Sequence, residues 1–166
     1  MVQVTFKETP MTLIGDEVKI GDKTPDFKVL DNNLQEVSLS DFKGQVKIIS
    51  VVPSVDTGVC SEQTKRFNDE AEKLGNVKVL TVSMDLPFAQ KRWKNENGIK
   101  QIEIFSDHRE ADFGINYGVL MKELRLLARS VFVIDNDDIV RYTEYVSEGT
   151  NHPNYEKALE AVRKIS

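Results

Sequence analysis

Cysteine is nearly absent: the 166-residue chain has one, Cys60, together with only two histidines, His108 and His152. A single thiol rules out a disulfide within the chain, and so few soft ligands leave almost nothing from which to build a zinc cluster. Long apolar runs are missing too. The longest, Lys47 to Val52 and Ser130 to Ile134, have the length of interior strands and fall well short of the ~18 residues that span a bilayer. Residues Met1 to Lys7 show no basic stretch leading into an apolar one, the pattern of a secretory signal, so a cytoplasmic protein is expected. Nor is positive charge in excess. The 22 Lys and Arg face 27 Asp and Glu, a net charge of −5, and the signs are interspersed, as in Lys65-Arg66 beside Asp69-Glu70. Neither nucleic acid nor a membrane is an expected partner.

What the chain does have is enough apolar material, 40% of residues, to bury a full core without disulfides or structural metals. No repeat, low-complexity tract or linker divides it, so residues 1–166 read as one domain. Val2, Val4 and Phe6 alternate with polar residues before Pro10, and Thr12-Leu13-Ile14 resumes the pattern, which predicts an N-terminal β-hairpin. A second short pair, Phe27 to Leu30 and Val37 to Leu39, flanks Asp31-Asn32-Asn33. Strand Lys47 to Val52 then ends at Pro53. From Cys60 through Thr64, Phe67, Ala71 and Leu74 the apolar and small residues step by four, three, four and three, one face of a helix that stops at Gly75. Strand Val77 to Ser83, helix Pro87 to Glu96, strand Ile102 to Phe105, a short helix Ala111 to Tyr117, strands Ser130 to Ile134 and Ile139 to Tyr145, and helix Asn154 to Ile165 complete the pattern. That order predicts an α/β, thioredoxin-like fold: a mixed central sheet flanked by helices, with the N-terminal hairpin as an extension.

Cys60 falls in Pro53-Ser54-Val55-Asp56-Thr57-Gly58-Val59-Cys60, the passage from a buried strand into the first turn of a helix. Free N–H groups and the positive end of the helix dipole both favour thiolate, the nucleophilic form. Thr57, three residues earlier, can set its hydroxyl beside the sulfur as donor and acceptor, and Pro53 can shield the strand side from solvent. A lone Cys is more often a buried, inert small side chain, and spacing alone leaves the two readings open.

The string resembles the peroxiredoxin motif Pro-x-x-x-Thr-x-x-Cys at every defining position. Ser83-Met84-Asp85-Leu86-Pro87-Phe88-Ala89-Gln90-Lys91-Arg92-Trp93 resembles the signature of the bacterial thiol peroxidase branch, and Leu126-Leu127-Ala128-Arg129-Ser130-Val131-Phe132-Val133 resembles the segment carrying that branch's catalytic arginine. The resemblance runs along essentially the whole chain. It implies a peroxiredoxin fold and a thiol-dependent peroxidase that reduces hydrogen peroxide and alkyl hydroperoxides without a bound cofactor or metal. It further implies Cys60 as the peroxidatic nucleophile, Thr57 and Arg129 orienting the peroxide and stabilising the thiolate, Pro53 as a wall of the pocket, and a homodimer. Attack on a peroxide moves negative charge from sulfur to the departing oxygen. A permanent cation such as Arg129, with the Thr57 hydroxyl and the N–H groups near Val59 and Cys60, would stabilise that charge.

One position departs from the branch. Its signature ends with a resolving Cys directly after the aromatic residue, and here that position is Lys94. A Cys60 sulfenic acid would therefore find no second thiol in this chain. Mixed disulfide formation with an external thiol, direct reduction by thioredoxin or a similar dithiol, over-oxidation, and a Cys60 to Cys60 bond between subunits remain. The alternative reading is a peroxide sensor on the same scaffold with little turnover. Among other residues, His108 follows a strand and precedes a helix, where Ser106 or Asp107 as a helix cap is a simpler reading than a Cys-His pair. The resemblance further implies that residues among Val59, Phe88, Trp93, Leu126 and Leu127, with Leu120 and Leu124, lie around the pocket or on a dimer face; Met121 to Leu127 is also apolar for a connecting segment, which suits an interface.

Overall fold

The computed structural model describes residues 2–165. From the N-terminus the elements are β1 (Val4–Phe6), β2 (Thr9–Met11), β3 (Leu13–Ile14), β4 (Lys28–Leu30), β5 (Glu36–Ser38), a 3-10 turn (Leu39–Phe42), β6 (Val46–Val51), α1 (Gly58–Leu74), β7 (Val77–Ser83), α2 (Pro87–Glu96), β8 (Glu103–Ser106), α3 (Asp112–Asn116), β9 (Leu120–Met121), β10 (Leu126–Leu127), β11 (Ser130–Ile134), β12 (Val140–Tyr145) and α4 (Tyr155–Ile165). Seven strands form the main sheet in the order β12-β11-β6-β7-β8-β4-β5. Strands β6, β7 and β8 are parallel, and the flanking pairs are antiparallel.

The period-two alternation of the central strands sorts their side chains into two cores. Ile48, Val79, Ile104, Val131 and Val133 face Phe67, Trp93 and Leu159 from α1, α2 and α4, and Cys60 belongs to this cluster. Ile49, Val51, Leu80, Val82, Phe105 and Phe132 face the opposite way, against Phe113, Tyr117, Leu120 and Leu127. Helix α1 starts where Thr57 caps it and stops at Gly75, whose φ of 70° lies in the region glycine adopts without a steric penalty.

This topology gathers one edge of the sheet. The parallel β6 and β7 deliver the loops 52–57 and 84–86 at their carboxyl ends. Because β11 runs antiparallel to β6, with Ser130 opposite Val51, its first residues arrive at the same edge. Sites of open α/β sheets lie at the carboxyl ends of the parallel strands for this reason.

The N-terminal hairpin is tighter than its hydrophobic pattern predicts. Val4 pairs with Met11 and Phe6 with Thr9, so the returning strand contains Pro10, and Lys7 and Glu8 make a two-residue turn with φ of 51° and 67°. Leu13–Ile14, predicted as that returning strand, instead pairs with β9, which also pairs with β10. The segment Met121 to Leu127 is thus a small β-hairpin of its own. Leu120, Met121 and Leu127 are buried in this chain's core, which corrects their expected place on an apolar surface.

Candidate active site

Cys60 is the third residue of α1 and is completely buried. Its N–H donates to the Thr57 hydroxyl oxygen at 3.3 Å, closing the cap of the helix. That bond occupies the Cys60 N–H, which is therefore not free to face a substrate as expected. The thiol sulfur accepts a hydrogen bond from Arg129 Nη2 at 3.2 Å. Cys60 and Arg129, 69 positions apart, are brought together by the pairing of β11 with β6.

Arg129 is 2% exposed, and three acceptors from two parts of the chain, helix α1 and the loop at Gly149, face its guanidinium. Nε donates to the Gly149 carbonyl at 2.9 Å, Nη1 donates to Gln63 Oε1 at 2.9 Å, and Nη2 points at the sulfur. Gln63 is itself fully buried one turn after Cys60, and its Nε2 donates to Ser50 Oγ at 2.8 Å. Both Gln63 and Gly149 offer Arg129 neutral oxygens. No carboxylate is hydrogen-bonded to Arg129 among the described residues, so its charge is left for the sulfur and for a substrate oxygen. A planar, permanently charged fork held at two points and aimed with the third is a donor set for charge that develops during reaction.

Asp85 ties the cysteine loop to the start of α2. Its Oδ1 accepts from Ser54 Oγ at 2.7 Å, and its Oδ2 accepts from Val55 N at 2.8 Å and Ser83 Oγ at 2.6 Å. Its own carbonyl accepts from Ser106 Oγ at 2.5 Å. The turn that precedes Thr57 is therefore clamped by a residue from the loop that follows the neighbouring parallel strand.

The remaining expected residues fall into different places. Pro53 is buried beside the loop and Val59 half-buried next to Cys60. Trp93 packs in the same core cluster as Cys60, a core residue rather than a surface one. Phe88 is 66% exposed at the start of α2 with Leu86 beside it, also exposed. Leu127 is fully buried and Leu126 half-buried, both on the opposite side of the sheet from Cys60. Lys94 is in the last turn of an intact α2. His108 is exposed, and Asp107 accepts from Phe113 N and Gly114 N at the start of α3, whose N-cap position is Ala111 rather than Asp107. His152 Nε2 lies 3.1 Å from Glu62 and its Nδ1 2.8 Å from the Tyr155 hydroxyl. Among the described residues no three His, Cys, Asp or Glu side chains converge as metal ligands.

Gln63, Asp85 and Gly149 carry the geometry of the site without having been singled out by their pattern. Gln63 had a local signal: it is a polar residue three positions after Cys60, on the face that Thr64 and Phe67 bury. Asp85 had a weaker one, an acid just before a helix beginning Leu86-Pro87. Gly149 had none, since its role depends on a carbonyl from a distant loop.

Chemically, the arrangement presents a thiol at a helix start, faced by a cation and wrapped in apolar surface. A cleft of about 1020 Å³ on the surface lies instead beside the N-terminal hairpin, lined by Val4, Met11, Leu13 and Glu148. Residues 19–159 match the family model described as Redoxin. The chain is 62% identical over 165 residues to a thiol peroxidase of Bacillus subtilis (strain 168), covering 99% of each. It is also 62% identical over 164 residues to a thiol peroxidase of Oceanobacillus iheyensis, covering 99% of this chain and 100% of that one. Among solved structures, the crystal structure of a peroxiredoxin-like protein from Aquifex aeolicus superposes with a TM-score of 0.92 at 41% identity, covering 99% of this chain and 97% of that one.

Proposed function

The chain belongs to the Redoxin family, beside its bacterial thiol peroxidases, and from that premise we propose how its one cysteine performs thiol-dependent peroxide reduction. Cys60 thiolate attacks the nearer oxygen of a peroxide ROOH. The O–O bond breaks, sulfur is oxidised to Cys60 sulfenic acid, and the departing RO⁻ leaves as the alcohol after taking a proton. Arg129 steadies the thiolate beforehand and the leaving oxygen during the step, with Thr57 holding the helix start and Pro53 walling the pocket. The observation that carries this reading is the 3.2 Å bond from Arg129 Nη2 to Cys60 Sγ at the capped N-terminus of α1.

Resolution is intermolecular in this reading, because Lys94 stands where the branch has its resolving Cys and Cys60 is the chain's one thiol. An external thiol attacks the sulfenic sulfur, water leaves, and a mixed disulfide forms; a second thiol then releases Cys60 and carries off the disulfide. Thioredoxin or a low-molecular-weight thiol fits that role, with hydrogen peroxide and alkyl hydroperoxides as substrates. The electrons come from sulfur, so the cycle uses no bound cofactor. A single domain over residues 1–166, a cytoplasmic setting and a homodimer using the exposed Leu86 and Phe88 belong to the same proposal. No helix among the described residues is long and apolar enough to cross a membrane. A sensor with negligible turnover is not favoured beside relatives named for their peroxidase activity.

The test is peroxide consumption with a dithiol in excess over protein. Many peroxides consumed per Cys60, with none by Cys60→Ser, supports the reading. A single stoichiometric burst with thioredoxin, small dithiols and monothiols alike would refute it.

A further inference from the structure

We propose that the N-terminal β-hairpin is a positioning device for Arg129, acting through the carbonyl of Gly149. The inference rests on the reading of Arg129 given above and adds the element that holds it.

Residues 146–149 bracket Arg129 from behind. Val146 N donates to the Arg129 carbonyl at 3.0 Å, and the Gly149 carbonyl accepts from Arg129 Nε at 2.9 Å. What fixes this segment is the hairpin. Thr5 N donates to the Ser147 carbonyl at 2.8 Å and Gly149 N donates to the Thr5 carbonyl at 2.7 Å, so β1 is paired with the segment on both sides of Glu148. The Glu148 side chain adds two further bonds to the hairpin. Its Oε1 accepts from Thr5 Oγ1 at 2.9 Å and from Glu8 N, in the hairpin turn, at 2.7 Å, while Oε2 accepts from Thr150 N at 2.6 Å and from the Thr150 hydroxyl. Those bonds, the Thr150 hydroxyl foremost and the Glu8 N–H next, hold the Glu148 carboxyl down at about 2. Glycine at 149 lets the hairpin sit this close, since a Cβ there would lie 2.6 Å from Phe6 Cδ1.

The consequence follows from the geometry of a fork. With Gly149 and Gln63 both in place, two fixed acceptors set the plane of the guanidinium and the third donor can only point at Cys60. Without the Gly149 carbonyl the group can pivot about its bond to Gln63, and a misplacement near 1 Å is worth up to about 100-fold in rate. Thr5 and Glu148 are positioning residues in this scheme, since neither touches the sulfur.

The experiment is a double-mutant cycle on the single-turnover oxidation of Cys60 by hydrogen peroxide, using the full chain and following the thermal midpoint in parallel. Glu148→Gln turns one of the two accepting oxygens into a donor facing N–H or O–H groups. We expect it to slow oxidation about tenfold in the parent and to have no further effect in an Arg129→Ala background. Thr5→Val, which removes a single hydroxyl, runs the same cycle if Glu148→Gln does not fold. Oxidation at the parental rate in Glu148→Gln or, if that variant does not fold, in Thr5→Val would overturn the proposal, and so would equal slowing with and without Arg129, the mark of a merely structural role. If Arg129→Ala itself oxidised at the parental rate, the reading of Arg129 at the site would fall instead.

Discussion

Replacing Asp85 with alanine tests how the cysteine loop is held. Val55 is fully buried, and its N–H is satisfied by Asp85 Oδ2 at 2.8 Å. Removing the carboxylate strands that donor, at a cost of ~1–3 kcal/mol, and takes away charge-assisted bonds to two hydroxyls. Ser54 is only half-buried, so its hydroxyl can turn to solvent, whereas Ser83 is fully buried and its O–H loses its acceptor while its oxygen still accepts from Gln90 Nε2 at 2.9 Å. A net loss of about 3 kcal/mol is expected for Asp85→Ala. Asp85→Asn keeps one accepting oxygen, and its amide can donate to Ser54, so about 1 kcal/mol is expected there. The same clamp sets the turn that leads into Thr57, so oxidation of Cys60 should slow about tenfold in Asp85→Ala and much less in Asp85→Asn. The sole tryptophan, Trp93, shares a core cluster with Cys60 and reports both processes. Urea unfolding followed by its fluorescence gives stability, and stopped-flow mixing with peroxide gives the rate. If Asp85→Ala stayed within about 0.5 kcal/mol of the parent and kept its oxidation rate, the clamp would have no part in the site.

Asp107 is pushed up to about 6 by burial, against an ordinary value of 3.8, although it accepts bonds from Gly114 N and Phe113 N. The folded state therefore holds this proton more tightly, so the group's contribution to stability is fullest below pH ~4 and is lost as pH rises through ~6. Asp107→Asn should gain on the parent by up to about 3 kcal/mol between pH 4 and pH 7 in urea unfolding, and a difference independent of pH would contradict this. Lys47 is fully buried with its ammonium 2.5 Å from Asp138 Oδ1. Asp138→Ala, which strands that charge, is expected to cost about 3–5 kcal/mol, whereas Lys47→Met should stay within about 1 kcal/mol of the parent; equal losses would show the pair to be ordinary packing. Lys94→Cys puts a thiol at the proposed resolving position. After one equivalent of peroxide it should give an intrachain disulfide seen by mass spectrometry, and its absence would mean that α2 does not open around Trp93.

The main sheet and long helices were legible because their patterns are local and repeated. The steps from Cys60 to Leu74 fix the buried face of α1, and β-branched runs mark β6, β7 and β11. The two-residue strands β3, β9 and β10 have no period to read. The β9–β10 hairpin is local, but it is tied down through β3 by pairs more than a hundred residues apart, such as Leu13 with Met121, and Leu120 and Leu127, which looked like surface residues, are core. At the site, Cys60, Thr57 and Arg129 were visible through motif resemblance. Their supports were not, because Asp85 acts on a neighbouring loop and Gly149 through a main-chain oxygen, and neither role leaves a spacing in the sequence.

The central claim is that Cys60, faced by Arg129, is the group that reduces peroxide and is then served by an external thiol. Its most direct test is mass spectrometry of the protein after one equivalent of hydrogen peroxide, with and without an added thiol. The claim predicts one added oxygen, on Cys60, and in the presence of thiol a mixed disulfide at that same residue which excess thiol removes. Peroxide consumed while Cys60 remains unmodified, or an oxidised Cys60 that no thiol can reach, would contradict it.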